Sequence, residues 1–130
     1  MLQKLLEQLF QEFGLGTPLL DEQKLFHIKL SGFDITFKEI EPNFYISANI
    51  GPLPQNKKEE FLMLIMKANF LGQGTGGGVI GLTENESFLT LSLSLPYEVN
   101  YITFKESLED FANYLDYWKK EITKHEAEIT

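Results

Sequence analysis

Few residues in this chain are placed to do chemistry. Gly72, Gly74 and Gly77 have the G-x-G-x-x-G spacing that lets a backbone approach a dinucleotide's pyrophosphate. Such a site needs a strand before the glycines and a helix after them, so that free helix amides face the phosphate. Here the run Gly72-Gln73-Gly74-Thr75-Gly76-Gly77-Gly78 follows a helical segment and leads into Val79-Ile80-Gly81-Leu82, which has strand character. No Gly-Lys-Ser/Thr is present for a phosphate loop. Nucleotide binding is therefore not expected, and the glycines read as a helix stop, a tight connection and a site of close backbone approach.

His27 and His125, the two histidines, fall on the polar side of a strand and in a helix tail. Neither has an H-x-x-x-H partner for a metal. No serine or carboxylate is tied to either by spacing, so both are expected to be solvated rather than to act as general bases. Glu59/Glu60 and Glu109/Asp110 are adjacent carboxylates, which diverge around a helix and read as first-turn and surface charge. The absence of cysteine removes thiol nucleophiles, thiolate metal sites and disulfides, and fits a reducing compartment. The expectation is no catalytic residue, no metal and no cofactor, hence no enzyme.

The elements behind these residues follow from periodicity. Leu2, Leu5, Leu6, Leu9, Phe10 and Phe13 recur every three or four positions, the stripe of an amphipathic helix, which Gly14 stops. The period then drops to two: Phe26, Ile28 and Leu30 share one face of a strand, Ser31-Gly32 turns the chain, and Phe33, Ile35 and Phe37 return. A third strand carries Phe44, Ile46, Ala48 and Ile50, and Gly51-Pro52-Leu53-Pro54 is expected to take the chain out of the sheet.

Asn56 is the predicted N-cap of a second helix reaching about Leu71. Its apolar residues lie almost all the way round, so it is expected to be covered on more than one side, most economically by a second copy across a two-fold axis. Val79–Leu82 and the alternating Leu89, Leu91, Leu93 and Leu95 form a second hairpin. Thr103 and Glu106 have capping-box spacing for a last helix with Leu108, Phe111, Ala112, Leu115, Trp118 and Ile122 inward, and its tail from Lys124 to Thr130 is expected to fray. The fold class is α+β, in the order α-β-β-β-α-β-β-α, as one domain over residues 1–130 with a largely antiparallel five-stranded sheet of open strand order.

Composition sets the outer bounds. With 43% apolar and 23% charged residues in 130, a globular core is feasible, burying about two-thirds of the unfolded surface. Nineteen acidic against eleven basic residues give a net charge of −8, which repels nucleic acid and anionic membranes. There is no membrane-length apolar run and no basic-then-apolar leader, so the expectation is a cytoplasmic protein.

The stretch from Ala68-Asn69-Phe70-Leu71 through the glycine run to Val79-Ile80-Gly81-Leu82, followed by an alternating strand ending Leu95-Pro96, resembles the signature of the class I type III secretion chaperones, the CesT/SycE-like family. The likeness extends over essentially the whole chain through length, acidic charge, element order and a closing helix with Phe111 and Trp118. It implies a homodimer without ATPase activity that binds the N-terminal region of a secreted effector and keeps it non-globular, with energy for release supplied elsewhere, such as by an export ATPase. It implies a dimer interface built from Phe61, Leu62, Leu64, Ile65, Ala68 and Asn69 with Val79, Ile80 and Leu82. Helix one and the first meander would offer cargo pockets, with Leu2, Leu5, Leu9, Phe26, Ile28, Phe33, Ile35 and Phe44 as cargo contacts. The extra glycines would only loosen their connection. Pairing with a related chain, and a small-ligand or regulatory binding module, remain the alternatives.

Overall fold

The computed structural model describes residues 2–128. Helix α1 spans Leu2–Phe13, strands β1 Phe26–Leu30, β2 Phe33–Ile40 and β3 Asn43–Pro52, helix α2 Lys58–Asn69 with a 3₁₀ turn over Phe70–Gly72, strands β4 Val79–Leu82 and β5 Phe88–Pro96, and helix α3 Tyr101–Glu126. The five strands form one antiparallel sheet in the order β1-β2-β3-β5-β4. β4 reaches the edge because β5 returns between it and β3.

The alternation read from the sequence places Phe26, Ile28, Phe33, Ile35, Phe37, Phe44, Ile46, Ala48, Leu89 and Leu91 on one face, where α1 and α3 cover them. Phe104 of α3 joins strands two and three, its ring 6.1 Å from Phe37 and 5.8 Å from Phe44. The other face carries His27, Lys29, Asp34, Thr36, Ser47, Thr90 and Ser92 and is left open. β2 and β3 pair only from Ile40↔Asn43 to Thr36↔Ser47 and then part, leaving a polar cavity of about 450 Å³ between them, bordered by Phe33, Asp34, Ser47, Asn49 and Lys119.

Several expected ends move for physical reasons. β3 continues through a bulge at Asn49/Gly51 to Pro52 opposite Phe88, a position where the missing proline N–H costs one ladder bond only. α2 is capped by Lys57 in the left-handed region, not by Asn56, whose amide is spent on α3. α3 begins two residues before the expected capping box, where the Asn100 side chain accepts from the Thr103 N–H. The tail expected to fray is tied down as far as Glu128: Glu126 accepts from the backbone N–H groups of Gln55 and Asn56 at 2.9 Å each, and Asn56 Nδ2 donates to the carbonyls of His125 and Glu128. Ile129 and Thr130 lie outside the described residues.

The glycine connection is tight rather than loose. Backbone bonds run Gly74→Ala68, Gly77→Gly72 and Gly78→Thr75, and Trp118 Nε1 donates to the Gly74 carbonyl at 2.9 Å. At Gly72, φ is +69° and a Cβ would lie 2.6 Å from the Gly77 Cα, so both the conformation and the space demand glycine.

Candidate functional site

Two surfaces stand out, and the outer edge of β1 is the first. Among the described residues, the backbone groups of His27 and Lys29 on that edge have no partner. Beside them, α1, the loop after it and α3 enclose a cleft of about 240 Å³ lined by Leu9, Phe13, Leu15, Ile28, Leu30 and Leu108, with Lys29, Lys105 and Glu109 at its rim. Gly14 stops α1 by letting the Leu15 N–H reach back to the Phe10 carbonyl at 2.8 Å, which turns Phe13 and Leu15 outward above the strand. Glu12 anchors the cleft's other wall, accepting from Lys105 Nζ at 2.7 Å and from the Tyr101 hydroxyl. The Lys105 hydrogen bond holds Glu12 below the usual carboxylate range, while burial, with Glu12 as acceptor, pushes Tyr101 up to about 12.

All eight residues expected to contact cargo lie in the apolar core: Leu2, Leu5, Leu9, Phe26, Ile28, Phe33, Ile35 and Phe44 are each buried. Leu9 and Ile28 also form part of the cleft floor, and Phe33 borders the cavity between β2 and β3. The residues that open this surface to solvent, Phe13, Leu15 and Leu30, carry no spacing signal that separates them from a core stripe. Their exposure depends on where α1 stops.

The second surface is α2 with β4. Only Phe61 and Ile65 of this helix are buried, packing toward α3, where Phe61 meets Trp118 edge-on at 6.3 Å. The covering expected on several sides is absent within one chain: Met63 and Leu64 are exposed, Met66 is 71% and Leu71 80% exposed. Of the nine expected interface residues, Leu64, Val79 and Leu82 face solvent and Leu62 and Ala68 partly so, whereas Phe61, Ile65 and Ile80 belong to the core. Asn69 is half-buried with a different task, since its amide donates to the Ile80 carbonyl at 2.9 Å and its carbonyl accepts from the Ile80 N–H at 2.8 Å. Leu64, Ala68, Gly74, Tyr114, Tyr117 and Trp118 line an apolar hollow of about 540 Å³ between α2 and α3.

Neither histidine is simply solvated. His27 Nε2 lies 2.6 Å from Asp21 Oδ2, and that hydrogen bond, with one from the Leu25 N–H, lowers the Asp21 carboxyl. His125 packs its ring 4.9 Å from Phe61 and reaches the Lys57 carbonyl at 3.0 Å. The other ring nitrogen of His27, Nδ1, lies 3.4 Å from the Thr36 hydroxyl and 3.8 Å from Asp34 Oδ1. Among the described residues no cluster of His, Asp and Glu could hold a metal, and no helix is long and apolar enough to cross a membrane.

The sequence model of the Tir chaperone protein (CesT) family matches residues 4–119. No curated protein matches the sequence. Similar solved structures include a chain of the ExsC–ExsE complex, with a TM-score of 0.77, 14% identity, and coverage of 92% of this chain and 91% of that one. A chain of the HopA1–SchA chaperone–effector complex gives 0.72 and 13%, covering 91% and 92%. The Yersinia pestis type III secretion chaperone SycH, solved with a fragment of YscM2, gives 0.71 and 15%, covering 90% and 98%. At such identities these likenesses are of fold.

Proposed function

The chain belongs to the Tir chaperone protein (CesT) family, and from that premise we propose a dimeric, ATP-independent chaperone that holds the N-terminal segment of a type III secretion effector in a non-globular state. The observation that carries this reading is the open β1 edge beside an apolar cleft. An extended segment gains main-chain hydrogen bonds from the edge and side-chain burial from the cleft, while the ordering cost it pays keeps the complex releasable. Chaperone–effector and chaperone–fragment complexes among the similar structures support the same assignment. The protein carries out no reaction of its own, and release draws on an export ATPase. Its place of action is the cytosol, before export.

The exposed side of α2, with Leu64, Val79 and Leu82, is the proposed contact between two copies. A patch of this apolar character, with Lys67 and Glu60 on the same helix, is costly to leave in water, and a second copy across a two-fold axis would cover it with the same patch. The test is a pull-down of the tagged chain from the cytosol of its own export-active cells, followed by limited proteolysis and light scattering. A secreted protein protected near its N-terminus is expected, on a particle whose mass is two 14.9 kDa chains plus the protected segment. A monomer that recovers no secreted protein overturns the proposal.

A further inference from the structure

The sheet is unfinished at one place away from its outer edges. On β3 the odd-numbered residues up to the bulge turn their backbone groups toward β2, because the Tyr97 N–H bonds back to the Pro42 carbonyl and alternation along the ladder with β5 follows. Thr36↔Ser47 is the last pair that β2 and β3 make. The next of that kind in the register, Asp34 with Asn49, is not formed, and the cavity of about 450 Å³ opens between the two residues. β3 bends just there, through the bulge at Asn49/Gly51 in its ladder with β5. Each wall thus turns one donor and one acceptor toward the cavity, inside a sheet, where such groups are ordinarily satisfied.

The rest of the lining is polar on one side and cationic on the other. Thr36, Ser47 and Ser92 form one cross-strand row on the open face and Asn49 with Thr90 the next, so groups able both to donate and to accept line the mouth. From the helix-covered side Lys119 of α3 reaches in along Phe33, its Nζ 5.3 Å from the ring centroid. That ammonium makes no ion pair among the described residues, whereas its neighbour Lys120 is paired with Asp116 at 2.9 Å. The carboxylate at the mouth, Asp34, has partners of its own: Lys29 lies directly across the β1–β2 ladder, and His27 Nδ1 is 3.8 Å away.

We propose that this notch binds the C-terminal end of another polypeptide, with its carboxylate on Lys119 and its last peptide group between Asp34 and Asn49. A peptide group sends its N–H and C=O in opposite directions, so one such group gives a donor to one wall and an acceptor to the other. The chain end adds the negative charge that Lys119 lacks, in a charge-assisted hydrogen bond. An acidic side chain fits less well, because a carboxylate only accepts and leaves the carbonyls of Asp34 and Asn49 without donors. The notch is separate from the β1 edge and from the exposed side of α2, so its occupation does not depend on where cargo or a second copy sits.

The test is an NMR titration of the full chain with N-acetyl-trialanine, with its C-terminal amide and with sodium acetate, read at the backbone amides. The free acid is expected to shift Asp34 and Asn49 saturably and to leave Leu15 and Leu64 unmoved. The amide and acetate are expected to bind about tenfold more weakly, the one lacking the charge and the other the peptide group. Lys119→Met keeps a stem against Phe33, and its fold is checked by thermal melt. It is expected to bring the acid down to the affinity of the amide without changing the amide, whereas Lys119→Arg retains the preference. Equal binding of acid and amide to the unaltered chain, or a preference that survives Lys119→Met, overturns the carboxylate anchor. Acetate that binds as tightly as the acid marks an adventitious ion only and overturns the chain-end assignment. Titrations that leave Asp34 and Asn49 unmoved overturn the notch as a site.

Discussion

At the scale of residues, Asn69 does what a sixth strand would do for Ile80, supplying one donor and one acceptor to its outward backbone groups on the β4 edge. Asn69→Leu removes both and is expected to cost about 1–2 kcal/mol in urea denaturation, with the slope unchanged. The same variant reopens an edge, so concentration-dependent association at β4 is expected in light scattering. Glu126 gives a pH signature. Its backbone donors, Gln55 first and then Asn56, lower its carboxyl in the folded chain. A depressed folded value means that the stabilisation is fully present above the unfolded value, about 4.3, and is lost as pH falls through the folded one. Glu126→Gln is therefore expected to flatten the acid limb of the melting-temperature profile without altering its slope near neutrality. Neither role was legible in the sequence, because Asn69 bonds a residue eleven positions on and Glu126 bonds residues 70 and 71 positions back.

At the scale of elements, α2 sorts its apolar residues into two tasks that its composition alone could not separate. Ile65 is 5% and Leu64 41% exposed, so Ile65→Asp buries an unpaired carboxylate in the protomer and is expected to unfold it, at a cost of roughly 3 kcal/mol or more. Leu64→Asp is expected to keep the fold by circular dichroism while halving the particle mass in light scattering. A Leu64→Asp chain that stays dimeric removes this face of α2 from the interface. The glycine loop makes the complementary point. A Cβ on Gly74 would lie 2.7 Å from the Ala68 Cβ and 2.9 Å from its Cα, so Gly74→Ala must push the loop off the end of α2, for about 1–3 kcal/mol in the same denaturation assay. Close approach was readable from the run of glycines, but the mesh of backbone bonds that makes the loop rigid was not. Strands β1, β2, β3 and β5 were readable to within two residues because each alternates over a half-buried sheet, whereas Val79-Ile80-Gly81-Leu82 was read from its apolar character without alternation. The helix caps were not, since Lys57 and Asn100 act through local backbone geometry and neighbours that spacing does not encode.

At the scale of the whole molecule, the order of elements and the two-layer build followed from where periods of two and 3.6 alternate along the chain. Strand order did not, because nothing between Gly72 and Gly78 tells whether β4 or β5 lies against β3. Which face of the first three strands is covered was not legible either: Phe26, Ile35 and Phe44 alternate as a binding face would, and the packing of α1 and α3 places them in the interior. The approach to α2 and the end of α3 hold each other, because Glu126 fastens the backbone of Gln55 and Asn56 while Asn56 fastens the carbonyls of His125 and Glu128. Two stretches 70 positions apart are therefore expected to open as one unit, so that a substitution or a proteolytic nick at either is felt at both.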